Sequence, residues 1–231
     1  VGKTAWALNV AEHAATMGHK VMVFSLEMSR EQLVNRLLAM ESRVDAQNIR
    51  TGNLTDDQWG DIMEGSEVIG RSNLIIDDTP GISVAEMRSK CRKYKLEHDI
   101  QLIVVDYIQL MSSGTRTESR QQEISDISRS LKALAREIDV PVVVLSQLNR
   151  AADSRADHRP MLSDIRESGA IEQDADVVMF LHRPGYYDEN ADKNTAELIV
   201  AKQRNGPLDT IKLNWLPECT MFTDLKLAKT S

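Results

Sequence analysis

Short apolar runs alternate along the chain with longer segments that have helical periodicity. Helical patterns occupy residues 5 to 17, 29 to 43, 55 to 69, 83 to 98 and 121 to 138. The apolar runs, of the kind that form buried strands, occupy residues 21 to 26, 73 to 77, 102 to 108, 140 to 146, 177 to 182 and 196 to 201. This alternation predicts βαβ units and a largely parallel, twisted sheet that helices cover on both faces.

Two of the helix starts carry a capping signal. Ser29 with Gln32, and Thr55 with Gln58, have the spacing of a capping box, in which the first hydroxyl and the later amide side chain each bond the other residue's backbone N–H. We therefore expect helices to begin immediately after Ser29 and Thr55.

The pattern changes near the C-terminus. Residues 209 to 225 (DTIKLNWLPECTMFTDL) alternate apolar and polar positions around Pro217, which predicts an antiparallel hairpin appended to the edge of the sheet. The last six residues carry no packing signal. We expect one α/β domain over residues 1 to 225 and a flexible tail over residues 226 to 231.

The composition is that of an ordinary globular protein, with 42% hydrophobic and 27% charged residues in a chain of 231. No apolar stretch is long enough to cross a membrane, so a cytoplasmic location is the default expectation. The formal net charge of −7 argues against a surface that coats itself with nucleic acid, so any DNA contact must be local. Cys91 and Cys219 lack C-x-x-C spacing, and we expect both to be buried.

The first four residues, VGKT, match the end of a phosphate-binding loop, G-x-x-x-x-G-K-[ST]. In such a loop Gly2 lets the backbone approach a phosphate, Lys3 bonds phosphate oxygens, and the Thr4 hydroxyl binds Mg²⁺. Taken alone, the tripeptide fits an ordinary helix start equally well. We expect the first strand and the early glycines of the loop to lie upstream of Val1, so that this fragment by itself forms an incomplete phosphate cradle and has little activity.

Three polar residues follow apolar runs at the ends of predicted parallel strands, where α/β sheets bind ligands. Asp106 ends LIVVD and can hold Mg²⁺, or it is a solvated aspartate before a turn. Glu27 follows the first strand and can polarise an attacking water, or it is a helix N-terminal acid. Gln147 can bond a γ-phosphate or a nearby loop, or it is an ordinary strand-end glutamine.

Two cations lie where the last long apolar run gives way to a turn. Lys202 and Arg204 precede the turn sequence NGP. They are either surface solubilising residues or, if they reach the nucleotide of a neighbouring subunit, an arginine finger and its companion. The second alternative requires a ring or a filament of subunits.

Six motifs occur in one order along the chain: GKT, FSLEMS, LIVVDYIQL, LSQLNR, SDIRESGAIEQDAD and VAKQRNGP. Together they resemble the C-terminal motor domain of bacterial DnaB-type replicative DNA helicases, a RecA-like P-loop NTPase fold. The resemblance covers nearly the whole chain. It implies that Lys3 and Thr4 are Walker A residues, Glu27 the catalytic carboxylate, Asp106 the Walker B acid and Gln147 the sensor. It also implies that Lys202 and Arg204 act in trans on the adjacent subunit.

The same resemblance assigns the segment SDIRESG to single-stranded DNA. It implies that Arg166, Glu167 and Gly169 meet DNA phosphates in the central channel of a ring. An arginine and the backbone N–H groups of a glycine-containing loop can hold a phosphate without reading a base. From the residues alone, the alternative for Arg166 is a salt bridge with Asp164 or Glu167.

The resemblance further implies ATP and Mg²⁺ as cofactors, a homo-hexameric ring, and primase and a helicase loader as partners, with no membrane association. The family's N-terminal collar domain and linker helix have no counterpart in these 231 residues. A RecA-like or KaiC-like recombination or switch ATPase, which uses nucleotide without unwinding DNA, is the alternative. The segment DIRESGAIEQDAD favours the helicase.

Overall fold

The protein has an α/β fold built on a parallel sheet of four strands. A computed structural model describes residues 2 to 114, 119 to 149, 155 and 157 to 225, without the side chains of residues 166 to 168. The predicted tail lies outside these residues, and the predicted domain bounds stay a prediction. The strands run in the spatial order β2-β1-β3-β4. They are β1 (Val21–Ser25), β2 (Leu74–Asp77), β3 (Leu102–Asp106) and β4 (Val142–Val144).

Helices cover both faces of this sheet, as the sequence predicts. Both capping boxes are confirmed, since Ser29 and Thr55 exchange hydrogen bonds with Gln32 and Gln58. Among the described residues, no helix is long and apolar enough to cross a membrane. The helices are α1 (Lys3–Thr16), α2 (Arg30–Ser42), α3 (Ala46–Thr51), α4 (Asp56–Arg71), α5 (Val84–His98) and α6 (Arg120–Ile138).

Side chains of the sheet alternate between two apolar layers. Val21 and Val23 of β1 pack with α1 and α2 on one face, whereas Met22 and Phe24 pack with α5 and α6 on the other. All five residues of β1 are buried, which a strand between two helical layers requires. Cys91 and Cys219 are buried free thiols, as predicted.

The C-terminal part forms a second sheet, which is antiparallel. The apolar runs at 177 to 182 and 196 to 201 belong to this sheet and not to the parallel one. The connection between them contains only the four-residue helix α8, too short to cover a parallel crossover. The elements are α7 (Gly169–Asp174), β5 (Val177–His182), α8 (Pro184–Tyr187), β6 (Thr195–Gln203), β7 (Asp209–Leu216) and β8 (Met221–Asp224).

Helix α1 connects the two sheets. Its Ala5 packs against Trp215 and Phe222 of the antiparallel sheet, while its next turns pack on the parallel sheet. The side-chain oxygen of Asn9 accepts a hydrogen bond from the Phe222 N–H at 2.8 Å. The N-terminus of α1 is thereby fixed between the sheets.

One carboxyl group is buried inside the helical layer. Glu12 of α1 is 9% exposed, and one of its oxygens has no hydrogen-bond partner among the described residues. Burial, together with a hydrogen bond and charge repulsion from Glu41 of α2, raises the pKa of Glu12 to about 8. The folded protein therefore holds a proton at Glu12 at neutral pH.

This proton makes the stability dependent on pH. Between the ordinary pKa of 4.5 and about 8, the folded state keeps the Glu12 proton and the unfolded state loses it. The free energy of unfolding therefore falls as pH rises through this window, by at most about 1.4 kcal/mol per pH unit from this group. Glu12→Gln should flatten the dependence, as measured by urea unfolding across the window. The exposed Glu64→Gln should leave it unchanged, and equal slopes for all three proteins would contradict the assignment.

Candidate functional site

The carboxyl edge of the parallel sheet carries the predicted site residues. In the β1–β3 pairing Ser25 lies opposite Asp106, and the Leu26 N–H donates to the Asp106 carbonyl at 2.7 Å. Glu27 and Asp106 therefore follow neighbouring strands at the same edge. The chain leaves β1 for β2 on one side and returns to β3 on the other, so these residues flank the point where the strand order reverses. Open α/β sheets bind ligands at such a point.

A cavity of about 400 Å³ opens at this edge. This volume lies within the range of small-molecule sites. The structure brings together six of the predicted site residues there, namely Gly2, Lys3, Thr4, Glu27, Asp106 and Gln147. The other residues that line the cavity are Ala5, Arg36, Tyr107, Arg183, Trp215 and Thr220.

Gly2 lies at the entrance to α1 in a conformation that favours glycine. Its φ is +88°, and a Cβ at this position would lie 3.2 Å from Leu181 Cδ2 and 3.3 Å from Phe222 Cζ. A side chain would be strained and would press against the antiparallel sheet. Glycine keeps the backbone N–H groups at the start of α1 accessible to the cavity, as binding of an anion at a helix N-terminus requires.

Asp106 is a buried carboxylate, with 5% of its surface exposed and no hydrogen-bond partner for Oδ2 among the described residues. Burial raises its pKa, a hydrogen bond with the Thr4 hydroxyl lowers it, and the nearby charge of Glu27 raises it again. The charges of Lys3 and Arg36 lower it further. The net pKa is raised, so the cavity presents more negative charge at its floor than its own cations neutralise.

These groups fit a divalent cation. The Asp106 carboxylate and the Thr4 hydroxyl are oxygen donors, which Mg²⁺ prefers, and the unpartnered Oδ2 lacks a positive neighbour. Mg²⁺ usually keeps several waters and takes its remaining ligands from phosphates, so two protein oxygens in an open cavity suffice. Thr4 and Asp106 are therefore suited to hold a magnesium–phosphate group.

Two further cationic side chains in the cavity were missed by the sequence prediction. Arg36 comes from the middle of α2, where nothing in its local sequence marks it as different from a surface arginine. The Arg183 guanidinium lies 4.4 Å from the centroid of the Trp215 ring, and Arg183 forms no ion pair with another described residue. Burial lowers its pKa. Only the tertiary fold brings these arginines to the cavity.

The structure places Lys202 and Arg204 outside the cavity lining, in contact with their own chain. Lys202 Nζ donates to the carbonyls of Glu172 and Ala175, and Arg204 Nη2 donates to the Gln173 carbonyl at 3.0 Å. Both side chains therefore cap the C-terminal end of α7. This geometry leaves the predicted role in trans open.

The predicted DNA segment forms a 3-10 helix over Leu162–Ser168 that leads into α7. The side chains of Arg166 and Glu167 lie outside what the structure describes, and Gly169 is the first residue of α7. The Asp164 carboxylate accepts hydrogen bonds from Arg155 and from the Met161 N–H. Arg155 thus occupies the partner that the sequence offered to Arg166.

Comparison with known proteins gives concordant matches. Residues 1 to 224 match the family model described as the DnaB-like helicase C terminal domain. The chain is 53% identical over 229 residues to the replicative DNA helicase DnaC of Bacillus subtilis, and 52% identical to the replicative DNA helicase DnaB of Geobacillus stearothermophilus. It spans 98% of its own length in both matches and 50% of each relative.

Solved structures show the same fold. A structure whose title describes an ATPase domain superposes with a TM-score of 0.94 at 40% identity, covering 97% of this chain and 81% of the other. A DnaB-like replicative helicase, whose title includes its interactions with primase, gives the same score and identity and covers 97% and 56%. The chain therefore belongs to the family of DnaB-like helicase C-terminal domains.

Proposed function

We propose that this chain is the ATP-hydrolysing motor of a replicative DNA helicase, which couples hydrolysis to movement along single-stranded DNA. The observation that carries the proposal is the cavity in which Lys3, Thr4, Glu27, Asp106 and Gln147 meet at one sheet edge. Family membership supports a helicase over a RecA-like or KaiC-like switch ATPase. The chain covers half of its curated relatives, so the activity is assigned to the full-length protein.

The phosphate end of the cavity is built for positioning and charge stabilisation, which phosphoryl transfer mainly requires of a protein. Lys3 and the N-terminus of α1 bind the phosphate oxygens of ATP. Glu27 accepts a proton from the attacking water and orients it. Gln147 donates from its side-chain amide to the terminal phosphate and senses its departure.

Magnesium completes the phosphate end. When bound, Mg²⁺ would neutralise charge that develops on the phosphate oxygens. Thr4 and Asp106 would hold it, since Asp106 has the unpartnered buried oxygen. Arg36 adds a positive charge beside them.

The other end of the cavity suits the nucleoside. The Arg183 guanidinium stacks on Trp215 with one face, and the cavity contains both residues. A planar guanidinium held by an aromatic ring can accept a nucleobase on its second face. ATP would then extend from Lys3 to Arg183.

Lys202 and Arg204 would complete the site of an adjacent subunit in a homo-hexameric ring. Arginine supplied in trans stabilises transition-state charge in many NTPases. In this role the two side chains would exchange the α7 carbonyls for phosphate oxygens. Their contacts at the α7 terminus keep them ordered in the subunit described here.

Single-stranded DNA would pass through the ring along the segment 162 to 169, with Arg166, Glu167 and Gly169 at its phosphates. The acidic net charge agrees with a local contact, because only the ring's lining needs to attract phosphate. Primase and a helicase loader are the expected protein partners, and a related helicase structure is titled with its interactions with primase. Such a motor would operate in the cytoplasm.

Glu27→Gln tests the proposed base. We expect ATP turnover by the full-length protein to fall by about 10²- to 10⁴-fold, because the amide cannot accept the proton. Binding of a fluorescent ATP analogue should persist. The exposed Glu31→Gln in α2 is the matched control and should retain turnover, whereas a Glu27→Gln protein with normal turnover would exclude Glu27 as the base.

Mixing two inactive variants tests the action of Arg204 in trans. Lys3→Ala and Arg204→Ala subunits should each hydrolyse little ATP alone. If the subunits mix at random, an intact Lys3 faces an intact Arg204 at about a quarter of the interfaces, and turnover should recover towards that fraction. Absence of recovery in mixed rings would show that Arg204 serves its own subunit.

Arg166→Ala tests the DNA contact. We expect weaker binding of single-stranded oligonucleotides and a salt dependence of log K that is shallower by about 0.7, as the loss of one phosphate contact requires. ATP turnover should respond less to DNA. Arg71→Ala, on the exposed face of α4, is the control, and identical salt slopes for all three proteins would refute the contact.

A further inference from the structure

The side-chain amide of Gln109 grips the backbone of Gln147 on both sides. Its Oε1 accepts a hydrogen bond from the Gln147 N–H at 3.2 Å, and its Nε2 donates to the Gln147 carbonyl at 3.3 Å. Nε2 also donates to the Ser146 hydroxyl at 3.0 Å. One side chain thus provides the pair of bonds that a neighbouring strand would otherwise supply.

Regular strand pairing stops just before Gln147. The Leu145 N–H donates to the Val105 carbonyl at 2.9 Å, and the Leu145 carbonyl accepts from the Ile108 N–H at 3.0 Å. Residues 146 to 149 have no strand assignment. The Gln109 amide therefore extends the β3–β4 pairing by one residue, at the point where the Gln147 side chain enters the cavity.

Gln109 is itself held in place. It lies in the 3-10 turn Ile108–Leu110, three residues after Asp106. Its carbonyl, and that of Met111, accept hydrogen bonds from Arg120 Nη2 at 2.5 and 3.2 Å. The Arg120 guanidinium is in turn paired with Glu123. A side chain fixed in this way can transmit a displacement instead of absorbing it.

The segment held by Gln109 leads directly to the candidate DNA segment. Two residues after Gln147, the Asn149 N–H donates to the Asp164 carbonyl at 3.1 Å. The Asp164 carboxylate is 2% exposed and is anchored by Arg155 Nη1 at 2.9 Å and the Met161 N–H at 2.8 Å. Asp164 precedes Arg166 by two residues.

We infer that Gln109 is a positioning residue for coupling: it sets the backbone of Gln147 so that the nucleotide cavity and the segment anchored by Asp164 move together. The inference rests on the proposed function and adds to it a residue that touches neither ATP nor DNA. It concerns the response of hydrolysis to DNA. Loss of Gln109 should therefore affect DNA-stimulated turnover more than nucleotide binding.

Gln109→Met is the first test, because methionine keeps the length of the side chain and removes the amide. In the full-length protein, we expect the ratio of ATP turnover with saturating oligodeoxythymidylate to turnover without it to fall by about tenfold. The KM for ATP should change much less. The exposed Gln121→Met, at the start of α6, should keep the ratio of the unmodified protein.

A double-mutant cycle with Gln147→Ala tests whether the two glutamines act as one unit. We expect the double variant to lose no more stimulation than the more affected single variant. Gln109→Glu is the second variant. It keeps an acceptor for the Gln147 N–H but faces the Gln147 carbonyl with a carboxylate oxygen, so it should also lower the ratio even if Gln109→Met does not fold.

The outcomes separate the inference from the proposed function. Normal stimulation in a folded Gln109→Met or Gln109→Glu protein, or multiplicative losses in the double variant, would overturn the inference alone. An unmodified protein whose turnover does not respond to DNA would contradict the proposed function, and the inference would fall with it.

Discussion

Parallel pairing between β1 and β3 determines the geometry on which the site depends. With Ser25 opposite Asp106, the two strands end level, and the residues that follow them share one edge of the sheet. A shift of one residue would turn the Asp106 side chain to the other face of the sheet. The register is fixed by buried side chains on both faces, since Val23 and Phe24 pack into different helical layers. Core packing therefore positions the candidate chemistry.

The same edge concentrates charges that the protein does not balance by itself. Asp106 is buried with a raised pKa and an unpartnered oxygen, while Arg183 is held against Trp215 without an ion pair among the described residues. Removing such groups from water is costly unless a partner of opposite charge is supplied. A magnesium nucleotide brings a cation for the carboxylate and phosphates for the arginines. The free site is thus organised for a ligand of this charge pattern.

Much of the parallel sheet could be predicted because its signals are local. Apolar runs, capping boxes at Ser29 and Thr55, and the alternation of helix and strand all lie within short windows of sequence. The antiparallel direction of β5 and β6 was not evident, because an apolar run alone does not show which strand will pair with it. Helix α3 was missed as well, since its six residues are too few to show periodicity.

The candidate site divides in the same way. Gly2, Lys3, Thr4, Glu27, Asp106 and Gln147 follow strands or open a helix, so their shared edge was predictable, although their roles stay predictions. Arg36, Arg183 and Gln109 gain significance only from neighbours distant in sequence. The contacts of Lys202 and Arg204 with α7 likewise depend on a fold that brings β6 next to that helix.

The central claim is that one magnesium nucleotide binds across this edge of the parallel sheet. The most direct measurement is a crystal or cryo-electron microscopy structure of the full-length protein with Mg²⁺ and a non-hydrolysable ATP analogue. The account predicts terminal phosphates beside Lys3, with the metal between those phosphates and the Thr4 and Asp106 oxygens. A nucleotide bound elsewhere, or a metal remote from Asp106, would contradict it.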